Sequence, residues 1–116
     1  MYIQIPEDMA MIVMTIHMQV RPSKLKELLQ TLDELRREKR QMKGFIDSLV
    51  FTPNDDNDVL TFVEEWNTQE DLDTYLQSYY FSVLKGAMKV LTSSSEISFT
   101  TNSHATNRFN AESALV

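Results

Sequence analysis

The segment VLTFVEEW, Val59 to Trp66, decides the reading of the fold. Its residues alternate between two sets, Leu60, Phe62, Glu64 and Trp66 on one face and Val59, Thr61, Val63 and Glu65 on the other, which is the period of a β-strand. Just before it, PNDDND from Pro53 to Asp58 consists of residues that favour turns, and FIDSLVF, Phe45 to Phe51, reads as another strand. A hairpin joins the two.

Upstream, the even positions from Ile12 to Val20 are all apolar, while the odd ones run Met11, Val13, Thr15, His17 and Gln19, so MIVMTIHMQV is a strand with one apolar and one mixed face. Pro22 suits the first turn of a helix, and Leu25, Leu28, Leu29, Leu32 and Leu35 make a helical stripe, which predicts a helix from about Pro22 to Met42 with Gly44 as its stop. Downstream of the hairpin, Thr68 and Asp71 have capping spacing ahead of Leu72, Tyr75 and Leu76. Ser78 can cap again before Phe81, Leu84, Ala87, Met88 and Leu91, so this region is one broken helix or two. TSSSEISFTT holds a final short strand around Ile97 and Phe99.

The order βαββαβ, without internal repeats, predicts an α+β fold: a ferredoxin-like plait with a four-stranded antiparallel sheet covered by two helices on one face. The domain spans residues 11–102, between an N-terminal arm, 1–10, and a polar C-terminal tail, 103–116. The uncovered sheet face would carry Met11, Val13, Val59 and Val63 beside Thr15 and Thr61. At roughly 400 Å², such a face is near the upper limit that soluble monomers expose, so a second copy of the chain is expected to cover it.

Composition narrows the function classes. The 116 residues, 42% hydrophobic and 24% charged, suit one ordinary soluble domain. Two glycines, Gly44 and Gly86, cannot build a dinucleotide fingerprint or a phosphate loop. Without cysteine there is no thiolate nucleophile, iron–sulfur cluster or cysteine zinc site, and the composition fits a reducing, cytoplasmic setting. Two histidines, His17 and His104, leave little for a metal cluster. The net charge of −6 disfavours nucleic acid, and the apolar start is interrupted by Glu7 and Asp8, unlike a signal peptide or membrane span.

The segment VEEWNTQEDLDTYLQSYYF resembles the antibiotic biosynthesis monooxygenase domain family. The matching features are a strand ending in Glu64-x-Trp66, an acidic capped helix with Leu72 and Leu76, and Leu76-Gln77-Ser78-x-x-Phe81. The resemblance implies a ferredoxin-like homodimer whose sheets pack as a dimeric α+β barrel. The family's best-known members oxidise quinol-like or polycyclic aromatic substrates with O₂ and no bound cofactor. Others degrade haem, isomerise small signalling molecules or lack known activity. Haem-degrading relatives use an Asn and a His that align here with Ile16 and Lys85, so that branch is rejected. Where many small-molecule members have a histidine in Ser-x-His-Phe, this chain has Tyr80, and a histidine base is missing from that place.

Several residues carry two readings each. Trp66 is either a large core residue or the wall of a pocket whose indole N–H orients a ligand, and the resemblance favours the pocket. Glu64 shares its face, where a carboxylate is costly unless paired or wet, and reads as a pocket base or as a salt-bridged residue. Tyr75, Tyr79 and Tyr80 cluster around the helix break, where a pocket mouth or ordinary amphipathic packing would place them. His17, by parity, faces away from Glu64 toward the expected dimer interface; His104 lies in the tail. The run Arg36 to Arg40 reads as a solvated helix end. Asn54 to Asp58 lacks the bend glycine and distant glutamate of a calcium loop.

The expected function is that of a small monooxygenase without cofactor or metal, acting on a phenolic, quinol-like or enolisable compound. Trp66 and Glu64 are the catalytic candidates; Phe62, Tyr75, Tyr79, Tyr80 and Leu84 are the candidates for binding substrate. The alternative is a non-catalytic small-molecule-binding or interaction module on the same dimeric scaffold.

Overall fold

A computed structural model describes residues 11–52 and 58–102. The expected arm, the turn residues 53–57 and the tail with His104 lie outside them. The element order is β1 (Met11–Val20), α1 (Leu25–Lys39), β2 (Phe45–Phe51), β3 (Val59–Trp66), α2 (Gln69–Leu76), α3 (Tyr79–Leu91) and β4 (Thr92–Asn102). The four strands form one antiparallel sheet in the order β2-β3-β1-β4, the arrangement of the ferredoxin-like plait.

Strand parity places the core. Ile12, Met14, Ile16, Met18 and Val20 of β1 are at most 3% exposed, and they pack with Leu60, Phe62 and Trp66 of β3 against Leu28, Leu32, Leu35, Leu72, Leu84, Met88 and Leu91. The helices therefore lie on one face of the sheet. The other face carries Val13, Thr15 and Thr61, which are buried, and Met11, His17, Val59 and Val63, which are half-buried. Its middle is not bare as the sequence suggested. Its exposed apolar surface is concentrated on β2, at Leu49 (58% exposed) and Phe51 (40%).

Two boundaries differ from expectation, and one open alternative is resolved. Pro22 stands outside α1, in a turn where Ser23 has a φ of 65° and Lys24 N–H donates to the Arg21 carbonyl at 3.1 Å. The left-handed residue interrupts the helical path, so α1 starts at Leu25. The region after the hairpin is two helices: the Thr68 side chain accepts from Asp71 N–H at 3.1 Å to open α2, and Ser78 accepts from Phe81 N–H at 3.3 Å to open α3. Finally, β4 is an eleven-residue strand, not a short one, because its ladder to β1 is made by backbone groups that do not depend on its polar side chains.

Gly44 links α1 to β2 at a φ of 86°, a left-handed conformation open to glycine. A Cβ at this position would run into the Asp71 side chain, and the Gly44 carbonyl accepts from Asn67 N–H at 2.7 Å. This close approach ties the start of β2 to the start of α2. It also brings the end of α1 over the Trp66 end of β3.

Candidate functional site

The site begins with a helical stripe that continues into a charge. Leu28, Leu32, Leu35 and Lys39 follow at intervals of four, three and four, and all four are buried on the sheet-facing side of α1. Opposite them, Glu64 occupies the inward parity of β3 between Phe62 and Trp66, each 0% exposed. The Lys39 ammonium pairs with Glu64 Oε2, while the Trp66 indole N–H donates to Glu64 Oε1 at 2.9 Å. The carboxylate is thus held on both oxygens inside a layer that excludes water.

Aromatic rings complete the enclosure. The Trp66 and Tyr75 rings are stacked at 4.8 Å, with Phe45 edge-on to Trp66 at 5.5 Å and Phe81 edge-on to Tyr75 at 5.4 Å. Lys39 Nζ lies 4.8 Å from the centre of the Phe62 ring and 5.4 Å from that of Tyr75, distances at which a ring face attracts a cation. The Tyr75 hydroxyl is buried and has no hydrogen-bond partner among the described residues.

Burial dominates the electrostatics of the pair. It pushes the Glu64 carboxyl up from its ordinary value, against the Lys39 charge and the hydrogen bonds from Lys39 and Trp66. It pushes the Lys39 ammonium down, against the attraction of Glu64. The Tyr75 phenol is raised far above its usual range, first by burial and then by the negative charge of Glu64. Each group is moved toward its neutral form, which makes the cluster suited to passing a proton.

The structure brings Trp66, Glu64, Phe62 and Tyr75 together, and Leu84 belongs to the same continuous core. It separates the other two tyrosines from them. Tyr79 is 75% exposed and Tyr80 is half-buried; with Thr31, Leu35, Glu38 and Val83 they line a shallow groove between α1 and α3. The Ser78 cap restarts the helix between Tyr75 and Tyr79, which turns Tyr75 inward and Tyr79 outward and leaves Tyr80 half-buried at the edge of the core.

Lys39 corrects the reading of Arg36 to Arg40 as a solvated helix end. Arg37 and Arg40 are exposed, and Arg36 reaches Asp47 at 2.8 Å, but Lys39 is 0% exposed. The signal was present in the spacing: of the basic residues in this run, Lys39 alone extends the Leu28, Leu32, Leu35 interval, and Glu64 alone is acidic on the apolar face of β3. Two opposite charges at inward positions predict each other.

On the opposite sheet face, His17 Nδ1 lies 3.1 Å from Thr61 Oγ1, directed away from Glu64 as parity requires. Ile16 is buried on the helix side, and exposed Lys85 sits with its ammonium 5.3 Å from the Phe81 ring, so the aligned haem-ligand positions hold no iron ligand. Among the described residues, no group of three or more His, Asp or Glu side chains could hold a metal ion, and no helix is long and apolar enough to cross a membrane.

Comparison with known proteins places this geometry in context. The sequence pattern of the antibiotic biosynthesis monooxygenase family matches residues 11–85. A conserved protein from Methanosarcina mazei Go1 is 25% identical and superposes with a TM-score of 0.74 over 83% of this chain and 96% of its own. A conserved protein from Bacteroides thetaiotaomicron VPI-5482 is 18% identical, with a TM-score of 0.72 over 80% of this chain and 98% of its own. SnoaB, a cofactor-independent oxygenase from Streptomyces nogalater, is 14% identical, with a TM-score of 0.73 over 82% of this chain and 95% of its own. No curated protein sequence matches. With the family pattern running from β1 into α3 across both halves of the hairpin, the chain belongs to the antibiotic biosynthesis monooxygenase family.

Proposed function

We propose that this protein is a cofactor-independent monooxygenase that acts with O₂ on a quinol-like, phenolic or enolisable small molecule, with Glu64 as the base that ionises it. The observation that carries this reading is a carboxylate made more basic by burial, held by Trp66 within an aromatic, water-free enclosure. Family membership and the likeness to SnoaB point the same way.

The substrate supplies the electrons. Glu64 takes a proton from it, and the anion gives one electron to O₂, leaving a substrate radical and superoxide. These recombine at carbon to a peroxide, which takes the proton back from Glu64. Loss of water then leaves a carbonyl, so that R₂CH₂ and O₂ become R₂C=O and H₂O. Trp66 and Tyr75 orient the ring and exclude water from the radical pair, and Phe62 and Leu84 line the apolar floor. Entry is proposed past the outer rings of the stack, Phe45 and Phe81, which are less deeply buried than Trp66 and Tyr75. Tyr79 and Tyr80 stand at the adjoining groove, where they meet the substrate first.

Oxygen uptake against a panel of quinols and enols tests this. Wild type is expected to turn over at least one of them, and Glu64→Gln to lower kcat by about 10²-fold or more, the usual contribution of a general base. A second reading, a non-catalytic binding module on the same scaffold, is favoured by one fact: Phe62, Glu64, Trp66, Tyr75 and Leu84 are all 0% exposed and fill the layer. A thermal shift with these compounds but no oxygen consumption would establish it.

The working unit in this proposal is a cytoplasmic homodimer joined through the helix-free sheet face. Leu49, Phe51, Val59 and Val63 supply apolar contact there, and burial at ~25 cal/mol/Å² yields several kcal/mol per subunit before the costs of association. Light scattering at micromolar concentration should give a dimer, and Leu49→Asp should shift it toward monomer.

A further inference from the structure

We infer that Lys39 holds the substrate as its anion: when an acidic O–H gives its proton to Glu64, the conjugate base replaces Glu64 on the Lys39 ammonium. This rests on Glu64 acting as the base and adds to that reading the group that receives the product of the proton transfer.

Charge accounting is the first argument. Before the step the interior holds one ammonium and one carboxylate; after it, the same ammonium and one substrate oxyanion, beside a neutral Glu64. The O–H bond of the substrate breaks, an O–H bond on Glu64 Oε2 forms, and the net charge of the enclosure stays zero. Ionising the substrate without this exchange would leave an unpaired charge in a dry layer. Lys39 is the only cation among the buried described residues. Arg36, which lies one turn away on α1, is engaged with Asp47 at the half-exposed edge of β2.

Geometry is the second. An ammonium has three donors, and Glu64 Oε2 is its one hydrogen-bonding acceptor among the contacts of Lys39. Its other neighbours are the faces of Phe62, Tyr75 and Phe45, which attract a cation but are weaker partners than an oxyanion. On one of those rings, the buried Tyr75 hydroxyl is a further donor with no partner among the described residues. The enclosure therefore has spare donors on Lys39 and Tyr75 beside the carboxylate that takes the proton, the polarity that receives an oxyanion.

The substrate class follows. The compound must bring its own proton, so phenols, hydroquinones and stable enols fit. A permanent anion such as a sulfonate would make the enclosure net negative, and an aryl ether has nothing to give Glu64.

The probe is 4-nitrophenol, yellow only when ionised, titrated at a pH below its solution pKa, with 4-nitroanisole and 4-nitrobenzenesulfonate as controls. Wild type is expected to bind nitrophenol in its yellow form, at least about tenfold more tightly than either control, the equivalent of one pKa unit. In Lys39→Met the bound probe should be colourless and no tighter than nitroanisole. In Glu64→Gln, which keeps the cation and removes its carboxylate, preformed nitrophenolate at higher pH should bind more tightly than to wild type. If either single variant does not fold, the Lys39→Met/Glu64→Gln chain, which holds neither charge, takes its place and should bind the probe colourless and no tighter than nitroanisole. Colourless or absent binding to wild type, equal ionisation in Lys39→Met, or no tightening in Glu64→Gln would overturn the inference. Lys39-dependent ionisation without oxygen uptake by any quinol would uphold it and remove the oxygenase reading; turnover without Lys39-dependent ionisation would do the reverse.

Discussion

The layer between sheet and helices has two ends that are equally dry and physically unlike. Toward the start of α1 and the end of β1, Met18, Val20, Leu28, Leu32, Leu60 and Leu91 meet as an aliphatic core, each at most 5% exposed. Toward the end of α1 and the start of β1, Lys39, Phe45, Glu64, Trp66 and Tyr75 meet around a charge pair. The first end is held by volume: any set of apolar side chains of the right total size would serve, with modest losses. The second is held by partnership, because each buried charge is tolerable only while the other is present. Similar burial therefore implies different sensitivity to substitution, and the charged end has traded tolerance for chemistry.

The sharpest break of this contrast is Lys39→Met. Its shape suits the stripe, yet it strands the Glu64 carboxylate, and a loss of ~3–5 kcal/mol is expected in urea denaturation at neutral pH. Adding Glu64→Gln in the same chain should recover most of it, since the amide still accepts from Trp66 and carries no charge. A double variant as unstable as the single one would mean that volume, not charge, governs this end too.

At the aliphatic end, Leu32→Ala should cost ~2–4 kcal/mol by opening a cavity. No second substitution of polarity would rescue it, and the bound state of nitrophenol should be untouched. Trp66→Phe comes next. It keeps much of the ring volume but removes the donor to Glu64 Oε1, and ~1.5–3 kcal/mol is expected for a lost hydrogen bond to a charged group. Ligand affinity or turnover should fall with it; unchanged binding in a destabilised protein would make Trp66 core alone.

The pH dependence sharpens the comparison further. Glu64 is raised above its ordinary value of 4.5, so the folded protein keeps a proton that the unfolded chain has lost, and this contribution to stability declines as pH rises from that value through the folded one. Lys39 is lowered below its ordinary 10.5, so the folded protein has lost a proton that the unfolded chain keeps, and its contribution grows as pH rises from the folded value toward 10.5. Relative to the Lys39→Met/Glu64→Gln chain, wild type should be least stable between these windows. A constant difference from acid to alkaline pH would contradict both shifts.

The smallest effect belongs to Asp47→Asn. The Arg36 guanidinium beside Asp47 holds its carboxyl below the ordinary 3.8, so the pair contributes above that value and its contribution is lost as pH falls through the folded one. Its partners are 37% and 49% exposed, and a change within about 1 kcal/mol is expected at neutral pH.

How much of this was legible differs from one residue to the next. Glu64 and Trp66 stood out because strand parity is a local property: every second residue of VLTFVEEW shares a face wherever the strand is placed. Thr68 and Ser78 were legible as caps for the same reason, since their side chains bond three residues on. Lys39 was missed because a basic run at a helix end is usually solvated, and only registration against the leucine stripe singles it out. The tyrosines were grouped because they are close in sequence, whereas a cap between Tyr75 and Tyr79 sends them to different surroundings.

By itself, then, the sequence determined the element order, the two faces of β1 and β3, the helix starts at α2 and α3 and the family, because period, caps and turn chemistry act over a few residues. Only the tertiary structure decided that the Lys39 and Glu64 charges, 25 positions apart, neutralise each other, that the Tyr75 ring closes on Trp66 while Tyr79 turns outward, and that the second sheet face is partly buried. Those outcomes depend on how far each helix end reaches over the sheet, a distance set by the Gly44 link and by packing across the whole layer, and no local pattern encodes it.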